Sequence, residues 1–64
     1  MFLIMEQMTN GEFTGFISEA EDKEDALNQV SNWVTEKVSY LVINEETKEE
    51  FFFNENSTEL ERIT

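Results

Sequence analysis

The dipeptide Asn10-Gly11 constrains this chain more than any other feature, because it separates two stretches rich in apolar and β-compatible residues. Phe2, Leu3, Ile4, Met5, Met8 and Thr9 precede it, and Phe13, Thr14, Phe16 and Ile17 follow. Asn and Gly both tolerate the positive φ that a two-residue type I′ turn demands at its central positions, so a β-hairpin is expected, with its second strand over roughly 12–19. A two-residue loop sets Met8 opposite Phe13, Met5 opposite Phe16 and Ile4 opposite Ile17. Phe2, Ile4 and Met8 then share a face with Phe13 and Ile17, while Leu3 and Met5 share the other with Phe16. Both faces of the hairpin are apolar, and one helix can cover only one of them.

The helix is legible next. Asp22 is a candidate N-cap, followed by Glu24 and Asp25 in the first turn, where carboxylates favour the positive end of the helix dipole. Ala26, Leu27, Val30, Trp33, Val34 and Val38 recur at helical period, with Asn28, Gln29, Ser31, Asn32 and Thr35 between them as the wet face. The helix is expected to end near Lys37. Residues 38–44 and 49–54 then read as two strands joined by Glu45-Glu46-Thr47-Lys48, and a symmetric loop pairs Tyr40 with Phe53, Leu41 with Phe52, Val42 with Phe51 and Glu45 with Lys48. The order ββαββ predicts an α+β domain over residues 1–54, a four-stranded antiparallel sheet with one helix packed on one face. Residues 55–64 are mostly polar. Thr58 and Glu61 suit a capping box for one helical turn docked by Leu60 and Ile63, and a frayed tail is the other reading.

What holds so short a chain together is restricted. At 64 residues with neither Cys nor His, it has no disulfide and no Cys/His zinc site to staple a small core. A well-packed aromatic core, a partner chain or both must serve instead. The absence of Cys gives no sign of an oxidising compartment. The apolar run Met1–Met5 is too short for a signal-peptide core, and no run approaches a membrane span, so the cytoplasm is the default expectation.

Fifteen acidic residues face four basic ones, a net charge of −11. Lys23, Lys48, Lys37 and Arg62 are scattered and make no basic patch, which argues against direct nucleic-acid binding and against anionic membranes. Enzyme chemistry is not expected either. The commonest tunable base and nucleophile are missing, and two glycines cannot build a phosphate-cradling loop. The acidic runs lack the central Gly and ligand spacing of a calcium loop, so no metal and no cofactor is expected.

The acids are clustered, over 19–25, over 45–50, and in the tail at Glu55, Glu59 and Glu61. A compact chain of this length has a radius of gyration of about 11 Å and a diameter of roughly 28 Å, over which duplex DNA carries ~16 phosphates. A net charge of −11 is of that order. The expected partner is therefore a protein with a basic surface, and the expected task is that of an inhibitor or regulator mimicking nucleic acid. Phage proteins that disarm host nucleases offer the class-level analogy. The candidate acidic contacts are Glu45, Glu46, Glu49 and Glu50, then Glu21, Asp22, Glu24 and Asp25. The alternative is an adaptor or antitoxin-like module that docks through an apolar sheet face, as a homodimer or on another protein, with Phe16, Met5, Phe52, Tyr40 and Trp33 as candidate anchors.

Overall fold

The computed structural model describes residues 1–64 as five antiparallel strands in one open sheet and one helix. The elements are β1 (Phe2–Met8), β2 (Phe13–Ala20), α1 (Lys23–Trp33), β3 (Val38–Asn44), β4 (Glu50–Phe53) and β5 (Glu61–Arg62). The spatial order is β2-β1-β3-β4-β5, so β1 and β3 are central and the crossover from β2 through α1 to β3 passes over β1. The α+β class stands, and the strand number is corrected from four to five.

The extra strand comes from the polar end of the chain. Residues 55–64 form no helical turn. Leu60 is buried, Arg62 pairs with Phe51 and Glu61 with Phe52, and the amide of Ile63 donates to the carbonyl of Glu50 at 2.9 Å. Strand β4 would otherwise be an edge with unpaired backbone groups, and the last residues satisfy them.

Hairpin β3–β4 has the register that a symmetric loop predicts: Tyr40 opposite Phe53, Leu41 opposite Phe52, Val42 opposite Phe51. Its turn is held by Asn44, whose side-chain oxygen accepts from the amides of Glu46 and Thr47, and by Lys48, which takes a positive φ of 67°. Glu45 and Lys48 do not form the expected ion pair. The one ion pair in the chain joins Arg62 to Glu49 at 3.2 Å.

Hairpin β1–β2 departs from its expected register, and the turn explains why. Asn10 does not take positive φ, so the turn is not type I′. The amide of Gly11 donates to the carbonyl of Met8 and that of Met8 to the carbonyl of Glu12, closing a three-residue loop with Gly11 at φ 92°. A left-handed glycine is what such a loop requires at its third position. Further along, Glu6 faces three residues of β2, because the pairing steps from Gln7–Phe13 to Met5–Ile17. Gly15, at φ 90°, supplies the left-handed residue of this bulge. A one-residue slip exchanges the faces of a strand. Phe13 and Ile17 therefore lie with Met5 and Gln7, not with Phe2 and Ile4.

The core lies between α1 and one sheet face. Ile4, Ala20, Tyr40, Val42, Phe51, Phe53 and Leu60 pack with Ala26 and Val30 of the helix. The helix begins as expected, with the Asp22 carboxylate accepting from the amide of Asp25 at 2.8 Å. It ends four residues before Lys37, because Val34 is already extended; Val38 must reach the far end of β1 to pair with Met8. Gln29, expected on the wet face, turns back to the sheet. It accepts from the Ser18 hydroxyl and donates to the carbonyl of Glu19, tying α1 to the outer strand.

Candidate functional site

Three surfaces are built by this arrangement. The first is an acidic end. Strand β1 starts beside the end of β2, where Phe2 pairs with Ala20, and beside the end of β3, where Phe2 pairs with Asn44. The helix N-terminus follows β2 at that end, and the β3–β4 turn follows β3 there. The topology therefore brings Glu21, Asp22, Glu24 and Asp25 to the same end as Glu45, Glu46, Glu49 and Glu50. Glu21, Asp22, Glu24, Glu45 and Glu46 are exposed, and the other three are half-buried. Lys23, Lys48 and Arg62 share this end. Arg62 is held by Glu49, and the Lys23 ammonium lies 4.8 Å from the centre of the Phe51 ring. The eight carboxylates thus outnumber the cations even before local pairing. At no point do three carboxylates converge as a metal cradle would require.

The second surface is the sheet face opposite α1. The pairings put Leu3, Met5, Leu41, Ile43 and Phe52 on it, with Phe13 and Ile17 on its outer strand. Phe13 and Ile17 are more than half exposed. Met5 and Phe52, two of the apolar anchors named from the sequence, are here.

The other three anchors are elsewhere. Phe16, Trp33 and Tyr40 lie on the helix side and, with Glu6, line a cavity of about 280 Å³ open to solvent. Tyr40 is 1% exposed, so it forms the floor and offers no free surface for docking. Phe16 and Trp33 are the walls, meeting edge to face at 89° with ring centres 5.3 Å apart. Tyr40 lies 6.2 Å from Trp33. The Tyr40 hydroxyl donates to Glu6 Oε2 at 2.6 Å, and the Thr14 hydroxyl donates to Glu6 Oε1 at 2.8 Å. Burial holds the Tyr40 phenol far above its ordinary range, and the hydrogen bond to Glu6 and its negative charge add to the effect. Tyr40 is therefore a permanent donor and Glu6 its acceptor. Sequence reasoning missed Glu6, which stands 34 residues from Tyr40. The signal for it is a lone carboxylate within an apolar strand.

No helix is long and apolar enough to cross a membrane. Comparison with protein-family models, with curated proteins and with solved structures finds no match.

Proposed function

We propose that this chain is a small inhibitor or regulator that binds a protein and fills a basic, nucleic-acid-type site with the carboxylates of one end. The role is binding, without catalysis. The observation that carries it is the convergence of two acidic runs, some twenty residues apart in sequence, at one end of the sheet of a body measuring 28 × 21 × 19 Å. Duplex DNA 21 Å long presents about 12 phosphates. The eight carboxylates less Lys23, Lys48 and Arg62 leave a net charge of about −5 there, a little under half that count, so a groove built to release counterions on phosphate would release part of them here. Blockade of a nucleic-acid enzyme, the task of phage anti-defence proteins, is the class of function this suits.

The test is charge reversal. Changing Glu45, Glu46, Glu49 and Glu50 to Lys should abolish capture of the partner and leave the circular dichroism spectrum intact. Partner release should rise steeply with salt, and duplex DNA or RNA should compete. Retained binding by the reversed variant would remove the acidic end from the reading.

The uncovered sheet face supports a second reading, an interaction module that docks through Met5, Phe52, Ile17 and Phe13, on a second copy or on another protein. Its neutral centre, Leu3, Met5, Gln7, Ser39, Leu41 and Ile43, is the observation in its favour. Apolar docking would resist salt and would be weakened by Phe52→Ala.

A further inference from the structure

The aromatic cavity has the composition of a cation site. Its walls are the faces and edges of Phe16 and Trp33, its floor is Tyr40, and one carboxylate lines it. Aromatic faces attract cations through the ring quadrupole, and Trp does so best. Glu6 supplies the full charge. Each of its oxygens accepts one hydroxyl, leaving each free to accept another bond. None of the chain's four basic side chains reaches it, since the only ion pair is Arg62 with Glu49 and the only cation over a ring is Lys23 at Phe51. The chain thus holds a negatively charged, aromatic-lined recess and no cation of its own to fill it.

We infer that this recess receives a guanidinium group, the side chain of an arginine on the bound protein. The size is right for one side chain and below that of pockets for drug-sized molecules. The chemistry separates guanidinium from the other cations. Its planar fork matches the two free acceptor positions of a carboxylate, it stacks on aromatic faces, and it is more weakly hydrated than an ammonium. A lysine ammonium would lose more hydration on entry, and a quaternary ammonium would offer no donor to the two acceptor positions of Glu6 that remain free. That the arginine belongs to a basic partner rests on the function proposed above; the recess itself does not.

Trp33 is the only Trp, so its fluorescence reports the cavity directly. The full chain is titrated with N-acetyl-arginine N-methylamide at constant ionic strength, against the lysine analogue and tetramethylammonium. A saturable change is expected for the arginine probe, about fivefold weaker for lysine, weakened by about fivefold in Glu6→Gln and lost in Phe16→Ala. Phe16 is 44% exposed, so its truncation tests the site even if Glu6→Gln fails to fold. Glu45→Lys with Glu46→Lys should leave the titration unchanged. The inference falls if no saturable change occurs, if tetramethylammonium binds more tightly than arginine, or if Glu6→Gln folds and binds as the parent does. The probe needs no partner, so a failure here leaves the charge-reversal result standing, and a failure there leaves this one standing.

Discussion

Replacing Tyr40 by Phe removes one atom from the floor of the cavity and tests how the core is joined to the half-buried carboxylate of Glu6. The phenol is 1% exposed and donates to Glu6 at 2.6 Å. A hydrogen bond to a charged group contributes about 1.5–3 kcal/mol. Glu6 is half-buried and keeps its bond from Thr14, so the lower end, about 1.5 kcal/mol, applies. For a domain of this size each kcal/mol moves Tm by about 4–8 °C, so Tyr40→Phe should melt about 6–12 °C lower at pH 7 in far-ultraviolet circular dichroism. The loss should depend on pH in a set direction. The phenol is raised in the native state from an ordinary value of 10.0. Its stabilisation is therefore complete below pH 10 and declines above it, because the unfolded chain ionises first. The slope is about 1.4 kcal/mol per pH unit. The parent and Tyr40→Phe should then converge about one unit above pH 10, while the lysines, common to both, cancel. Tyr40 is the only Tyr, so the ultraviolet absorbance of tyrosinate follows it alone. A native titration at the ordinary value, or a Tm change under about 2 °C, would refute the reasoning.

Three further outcomes follow from the same structure. Asp22→Ala removes the N-cap bond to Asp25 and should cost about 1 kcal/mol in urea denaturation, whereas Asp22→Asn should cost little. Leu60→Ala should cost about 2 kcal/mol, the low end for a buried Leu because the chain end can relax, while Ile63→Ala, at a side chain 55% exposed, should stay within about 0.5 kcal/mol; equal effects would show that β5 does not seal the core. Raising NaCl from about 10 mM to about 150 mM shortens the screening length from roughly 30 Å to roughly 8 Å and should raise Tm, less so in Glu45→Lys with Glu46→Lys; a parent Tm that stays level or falls would show that repulsion between the acidic runs does not govern stability.

The parts of the fold legible in the sequence are those where local chemistry and tertiary pairing agree. In β3–β4 the register came from the turn: a symmetric loop over 45–48 pairs Tyr40 with Phe53, Leu41 with Phe52 and Val42 with Phe51, and the structure keeps that pairing. In β1–β2 the apolar pattern left the register open, because both faces are apolar and either register buries something. The decision fell to the turn, and Asn10-Gly11 serves a three-residue loop with Gly11 left-handed as readily as a two-residue one. Gly15 carried the missing signal, since a glycine inside a strand marks a bulge. The helix end was misplaced because Val34 and Val38 continue its period, while pairing of Val38 with Met8 requires extended chain. The acidic residues were legible as runs and became a surface only through topology. Glu6 was marked only by being a lone carboxylate within an apolar strand, and its bond to Tyr40 was not legible, since nothing local links residues on different strands.

The three surfaces are ordered along β1. Phe2 marks the acidic end, the side chains of Leu3 and Met5 emerge on the uncovered face, and Glu6 opens into the aromatic recess on the other side. At about 3.3 Å per residue, Phe2 and Glu6 are separated by roughly 13 Å along the strand. A partner that meets both the acidic end and the recess therefore needs a cationic surface at least that long on the helix side, with an arginine at its far end. Charged contacts that far apart in water are largely screened from one another at physiological salt, so they act as two independent attachments. The long-range charge would govern encounter, and the desolvated guanidinium would govern release. On the proposed function, such a division would let one short chain approach a basic groove quickly and stay in it.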